Sequence, residues 1–468
     1  MKIEVPTLKR DSSKHIKCHL PSKKIIMDAC RFPYERPDNW REIALSTFRE
    51  LLSKFRSLRL YLDVCVHCGA CADKCHYFLG TSDPNNMPVA RAELMRQVYK
   101  RYFTPAGKLG AGVELTEEVL DKWYTYFYQC SECRRCSVFC PYGIDTAEIT
   151  IAARAILGSI GMASKYITEV LWKCHTIGNN LGINALAWKD SCEFLEDELK
   201  EETGLDIKLP VDVEGADVLL CAPSADFFAN PHVNATLGYA KMFHKAGISW
   251  TTSSYASEGG NFGMFIDYRD MKKVNKRLVD AAKQLKVKNL VIGECGHAWR
   301  AAQAFTDTLN GPLDFIQQGP RPEHICEFTL KLIKKGAFKF DKSKNDDVIV
   351  TYHDPCNAAR AGYIVEEPRE IIRAVVNKFE EMPRNTIKEY TFCCAAGGGM
   401  LADEIMELRM KGAKPRVDAL KTTNANYLCT PCAICKAQFP HVLDHYKLSE
   451  KGVVVGGVHD LFSKALVL

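Results

Sequence analysis

The chain has 468 residues, 47% hydrophobic and 25% charged, enough apolar material for two or more packed domains, which excludes the disordered and fibrous classes. Its 62 Lys and Arg against 57 Asp and Glu leave a net charge of +5, too small an excess at this length to mark a nucleic-acid binder. No stretch approaches the roughly 18 apolar residues of a membrane-spanning helix, and MKIEVPTLKRDSSK lacks the apolar core of a signal peptide. The expectation is a soluble intracellular protein, where 21 cysteines act as metal ligands rather than as a disulfide scaffold.

Residues 1–57 form a basic N-terminal arm. Residues 1–60 carry 14 Lys and Arg against 7 Asp and Glu, so the arm is expected either to dock on an acidic partner or anionic membrane face or to stay solvated. Residues 58–150 read as mostly helical: Pro88 opens a helix (PVARAELMRQVYKRYF), and Thr116 followed by Glu117 and Glu118 caps another leading to Cys130. Residues 151–210 continue as a helical linker ending in the acidic stretch EDELKEETG. Beyond it, short apolar runs alternate with helices: ADVLLCAP, ISWTT and NLVIGEC in residues 211–345, then DDVIVTYHDPC, EYTFCC and NYLCTPC in residues 346–468. Asp217 against Asp347 and Cys295 against Cys432 give separations of 130 and 137, so two duplicated α/β lobes are expected and the expected fold class is α + α/β.

Two runs carry the clearest chemistry. Cys65, Cys68, Cys71 and Cys75, and again Cys130, Cys133, Cys136 and Cys140-Pro141, follow the C-x2-C-x2-C-x3-C pattern of two-cluster ferredoxins, in which the fourth cysteine ligates the other cluster. Cys65, Cys68, Cys71 and Cys140 are therefore expected to hold one [4Fe-4S] cubane, and Cys130, Cys133, Cys136 and Cys75 a second. Structural zinc is the bland alternative, but zinc sites use separated C-x2-C pairs rather than four cysteines in one run. Cys75 is followed by His76 where the pattern has proline, and 54 residues separate Cys75 from Cys130, which favours the helical two-cluster, ferredoxin-like domain of respiratory iron–sulfur subunits.

A third group, Cys356, Cys393-Cys394, then Cys429-Thr-Pro-Cys432, fits neither zinc nor ferredoxin spacing. With His353-Asp354-Pro355 before it and Ala395-Ala396-Gly397-Gly398-Gly399 after the pair, it resembles the CCG domain of heterodisulfide reductases. Joined to LYLDVCVHCGACADKCHYFLGTSDPNNMPVARAEL and QCSECRRCSVFCPYGIDTAEIT, it is similar over residues 58–468 to the K subunits of Dsr membrane complexes (DsrK). That resemblance implies a non-cubane [4Fe-4S] cluster on Cys356, Cys393, Cys394, Cys429 and Cys432, where a disulfide is cleaved. It also implies a peripheral subunit on the cytoplasmic face of the membrane, with a cytochrome b partner linked to the quinone pool. The implied substrate is the disulfide or trisulfide of the small sulfur-carrier protein DsrC, in dissimilatory sulfur metabolism. Disulfide reduction takes two electrons whereas each cubane passes one, so the third site must hold a half-reduced substrate. The alternatives are an electron-transfer subunit of a 2-hydroxyacid or glycerol-3-phosphate dehydrogenase system, and a metal-stabilised scaffold without catalysis.

In the first lobe Glu258-Gly259-Gly260 stands where the cysteine pair would be and Asp226 where Cys356 would align, leaving Cys295 opposite Cys432, so this lobe is expected to be degenerate. Cys295 either faces the cluster and binds substrate or sulfur, or is a buried relic. Cys435 is an extra ligand or a bystander, and Cys18, Cys30, Cys174, Cys192, Cys221 and Cys326 read as structural. The aromatic run Trp123, Tyr124, Tyr126, Phe127, Tyr128 is expected to shield a cubane from water. Arg134 and Arg135 either offset cluster charge, guide an acidic partner, or are merely solvated.

Overall fold

A computed structural model describes residues 1–5, 22–317 and 321–468, arranged as two compact units. Cys18 and residues 6–21 of the basic arm lie outside the described residues. The first unit comprises Met1–Trp172, Phe262–Tyr268 and Phe392–Arg416. Its helix Pro88–Phe103 begins on the proline, whose missing N–H has no partner to lose in a first turn. The helix Glu117–Phe127 is capped by Thr116, which accepts from the Val119 N–H at 3.3 Å. The aromatic run predicted as a shield is core: Trp123, Tyr124, Tyr126, Phe127 and Tyr128 are all buried.

Helix Trp40–Lys54, which its charge assigns to the arm, is built into this core rather than left in solvent. Its Trp40, Ala44 and Phe48 are buried, with Phe48 edge-on to Phe103 at 4.9 Å and to Trp123 at 6.3 Å. Apolar residues at helical spacing outweigh the arm's surplus of cations, which stay on the outer face. The predicted linker also divides. Helix Thr146–Ser159 is a core element of the first unit, whereas Ala185–Thr203 lays Trp188, Leu195 and Leu199 onto the core of the second.

The second unit, Lys173–Asn261, Arg269–Thr391 and Val417–Leu468, holds two small parallel sheets around one continuous apolar core. The first contains β1 (Val218–Cys221), β2 (Trp250–Thr251), β3 (Asn289–Ile292) and β4 (Glu323–His324) in the order β2-β1-β3-β4. The second contains β5 (Val350–Tyr352), β6 (Tyr427–Cys429) and β7 (Val454–Gly456) in the order β5-β6-β7. Every strand pair is parallel, as continuous apolar strands with helical crossovers require. The run EYTFCC forms no strand. A bridge from Val350 to Phe379 flanks β5 instead, and the chain leaves this unit after Thr391.

Cys295 and Cys432 hold like positions after their strands: β3 and β6 end at Ile292 and Cys429, and three residues later each cysteine stands at the N-cap of a helix, Gly296–Asn310 and Ala433–His445. Ile292 pairs with Cys221 and Cys429 with Tyr352, and four residues beyond these partners stand Ala225 and Cys356.

Candidate functional site

In the first unit the eight ferredoxin-type cysteines gather around two cavities. Cys65, Cys68, Cys71 and Cys140, with Cys136 at the shared wall, line one. Cys75, Cys130, Cys133 and Cys136 line the other. The fourth cysteine of each run thus sits with the first three of the other. Both runs bend alike: His67 and Glu132 occupy the same motif position with φ of 55° and 53°, and Gly69 and Arg134 follow two residues later with 77° and 61°. These left-handed residues turn the loop tightly enough to wrap its cysteines around a volume, and the Glu132 N–H points back to Cys130 Sγ at 3.4 Å. Among the described residues no three His, Cys, Asp or Glu side chains converge on a single point as the ligands of one metal ion do.

The two groups differ in exposure and charge. Cys68 is exposed, flanked by Val66 at 57% and Tyr142 at 48% exposure. Cys75 is buried, and the fully buried Arg91, on helix Pro88–Phe103, reaches it. Burial pushes the Cys71 thiol up to about 11 and Cys136 up to about 12, so metal binding must displace their protons. Arg134 pairs with Asp145 at 2.7 Å. Arg135 is buried, donates to Lys74 O at 3.0 Å and lies 3.9 Å over the Phe392 ring, so solvation does not describe it.

The Cys393-Cys394 turn belongs to this same unit. Ala395, where the CCG pattern has glycine, holds φ at 73°, and its N–H points to Cys393 Sγ at 3.3 Å, the device seen at Glu132 and Cys130. Gly398 O accepts from Arg154 at 2.7 Å. A Cβ on Gly398, itself at φ 62°, would meet Ser131 C at 2.8 Å, so only glycine lets the turn approach the Cys130 loop this closely. His76 Nδ1 lies 3.0 Å from Gly412 O and its Nε2 2.8 Å from Ser131 Oγ. A carbonyl only accepts, so the ring donates through Nδ1, while Nε2 pairs with the Ser131 hydroxyl. The departure from proline therefore creates a tie that proline cannot make.

The second unit holds Cys356, Cys429 and Cys432, all buried. The His353 N–H donates to Cys429 O at 2.9 Å. Asp354 accepts a bidentate pair from Arg369 at 2.6 and 2.8 Å and also the Lys388 N–H at 2.8 Å, which pins the turn entering Cys356 to the segment leading toward Thr391. Hydrogen bonds from Cys295 and Cys435 draw the Cys432 thiol below its usual range, and His297 adds to this. The bond to Cys432, with burial, pushes Cys295 up. Cys435 also lies 3.5 Å from His353 Nε2. One turn beyond Cys432, the fully buried Lys436 lies 3.5 Å from Asp226 and 3.4 Å from Glu294, whose other oxygen is 2.8 Å from His459 Nδ1. Burial opposes the Lys436 charge, but Asp226 and Glu294 hold it protonated. Asp226 thus belongs to a buried polar network around Lys436.

Cys30, Cys174, Cys192, Cys221 and Cys326 are buried and outside these groups. Sequence reading missed Arg91, Arg154, Tyr77, Lys436 and the Arg369–Asp354 pair. Each is a polar residue on an apolar face, a pattern that signals a buried partner without naming it.

The profile of the 4Fe-4S dicluster domain family matches residues 61–144, and that of the cysteine-rich domain family residues 350–440. An Hdr-like menaquinol oxidoreductase iron–sulfur subunit of Archaeoglobus fulgidus is 46% identical, over 92% of this chain and 84% of its own. Its counterpart in Archaeoglobus profundus is 44% identical, over 96% and 87%. One polypeptide of the dihydromethanophenazine:CoB–CoM heterodisulfide reductase of Methanosarcina mazei is 28% identical, over 87% and 94%.

Proposed function

The chain belongs to the family of Hdr-like iron–sulfur oxidoreductase subunits with a CCG domain, and we propose that it is the catalytic subunit of a membrane-associated, quinone-linked complex. Its substrate in this reading is the disulfide or trisulfide of a small sulfur-carrier protein of the DsrC kind, and its electron partner a membrane cytochrome b on the cytoplasmic face. Among the described residues no helix is long and apolar enough to cross a membrane, so membrane attachment in this proposal runs through that partner.

The observation that carries the reading is the exchange of the fourth cysteine between two cavities. Four thiols around a volume, with backbone N–H groups aimed at sulfur, are the donor set of a cubane, so Cys65, Cys68, Cys71 and Cys140 would hold one and Cys75, Cys130, Cys133 and Cys136 the other. Cys356, Cys393, Cys394, Cys429 and Cys432 would hold a third, non-cubane cluster, whose chemistry is to join one-electron supply to two-electron disulfide cleavage. The chain's own residues set the conditions there. The Arg369–Asp354 pair fixes the approach to Cys356, Cys295 and His297 stand against Cys432, and Lys436 supplies a buried positive charge one turn away. The test is iron and acid-labile sulfide in anaerobically purified protein, with EPR of the oxidised sample with and without the carrier-protein disulfide. About twelve irons and a substrate-sensitive signal support the reading, whereas about eight irons and no such signal leave an electron relay and move catalysis elsewhere.

A further inference from the structure

Tyr77 is fully buried, two residues beyond Cys75, and its hydroxyl donates to Ala395 O at 2.8 Å, one residue beyond Cys394. Cys75, Cys130, Cys393 and Cys394 all lie close enough to act electrostatically on this hydroxyl. The ring is held in place: the His76 ring lies beside it, tilted, with centroids 4.2 Å apart, and helix Met406–Leu420 crosses it at Gly412, where a Cβ would come within 2.5 Å of the ring. Gly80 makes the same concession, since a Cβ there would meet Lys411 O at 1.9 Å. Two glycines and one tyrosine therefore let the Tyr77 side chain, two residues past Cys75, hydrogen-bond the backbone one residue past Cys394.

We propose that the Tyr77 hydroxyl couples the Cys75, Cys130, Cys133, Cys136 group to the Cys393-Cys394 turn, so that electrons leave the dicluster domain from this group and through this hydrogen bond. The inference rests on the cluster assignment proposed above. The path runs along the chain from Cys75 to Tyr77, across one hydrogen bond, and along the chain from Ala395 to Cys394. Tunnelling decays less across covalent and hydrogen bonds than across van der Waals gaps. Two rival contacts exist: Arg135 lies 3.9 Å over the Phe392 ring across such a gap, and Arg154 donates to both Cys130 O and Gly398 O, a route that needs two hydrogen bonds and the chain from Gly398 back to Cys394. Each event would pass one electron from the cluster that Cys75, Cys130, Cys133 and Cys136 would hold to the one that Cys393 and Cys394 would help to hold. No bond is made or broken, and the tyrosine keeps its proton. Tyr77 acts here as a positioning residue, and the exposed Cys68 group becomes the outer, receiving end of the relay.

The test compares Tyr77→Phe with Phe392→Leu in the loaded full-length protein. Each is reduced by a one-electron donor and followed by freeze-quench EPR, with iron content and the potential of each cluster measured beside it. Tyr77→Phe should leave iron and potentials unchanged while slowing several-fold the passage of the electron from the inner cubane to the third cluster, and Phe392→Leu should leave the rate intact. Gly412→Ala, which displaces the ring without removing the hydroxyl, should slow it as well. An unchanged rate in Tyr77→Phe, loss of iron in that variant, or equal slowing in Phe392→Leu overturns the proposal. A wild-type protein with about eight irons and no third signal overturns instead the cluster assignment on which it rests.

Discussion

Removing Arg154 should be among the costliest single changes in the first unit. Its guanidinium is fully buried and donates to Glu132 Oε1 at 2.9 Å, Phe265 O at 2.9 Å, Gly398 O at 2.7 Å, Cys130 O at 2.7 Å and twice to Phe127 O. Arg154→Met keeps most of the aliphatic volume but strands the buried Glu132 carboxylate, a loss of about 3–5 kcal/mol. Each of the four carbonyl oxygens deprived of its donor adds roughly 1 kcal/mol. The total approaches the whole stability of a typical domain, about 5–15 kcal/mol, so the variant should bleach and release iron under conditions where the wild type is stable. Arg154→Met with Glu132→Gln removes the stranded charge and should recover about 3 kcal/mol of that loss. Anaerobic guanidinium unfolding, followed by visible absorbance and tryptophan fluorescence, measures both. A single variant within about 1 kcal/mol of wild type, or a double variant no better than the single, would refute the reasoning.

Three further outcomes are expected. Cys140→Ser should abolish the EPR signal of the group built on Cys65, Cys68 and Cys71, and Cys75→Ser that of the group built on Cys130, Cys133 and Cys136; loss of the signal from a variant's own run instead would contradict the exchange. Burial lifts Asp226 to about 7, so between about pH 4 and 7 the folded chain keeps a proton that the unfolded chain releases, and stability falls as pH rises through that window. Buried His232, lowered to about 4, and His324, lowered to about 3, act in the opposite sense, since they cost stability only as the pH falls below about 6.5. The difference between wild type and Asp226→Asn isolates the aspartate: denaturation midpoints should shift in favour of the variant from pH 4 to 7, and a flat difference argues against it. Finally, deleting residues 1–45 should lower the unfolding midpoint of the first unit by removing the buried Trp40 and Ala44, and an unchanged midpoint would contradict their place in the core.

Much of this protein is legible along the chain because its chemistry is written in short-range spacing. A helix start depends on one proline or one capping hydroxyl, and Pro88 and Thr116 mark theirs to the residue. The C-x2-C-x2-C-x3-C runs specify loops that need two left-handed residues, and both runs supply them at matching positions. What spacing does not carry is the identity of a partner distant in sequence. Arg135 reads as a cation that offsets cluster charge, guides a partner or is solvated, and only Phe392 shows that it is covered; the cationic helix Trp40–Lys54 reads as an arm until Phe48 meets Trp123.

The sequence by itself determined the cysteine groups, the helices that carry them and the alternating strands of the second unit, since each depends on neighbours within a few residues. Tertiary structure alone decided that the Cys393-Cys394 turn packs with the first unit, that His76 and Tyr77 tie it there, and that Arg154 and Lys436 are buried charges. Those facts depend on close approach between segments hundreds of residues apart, where a missing Cβ at Gly80, Gly398 or Gly412 and a single carbonyl acceptor settle the outcome.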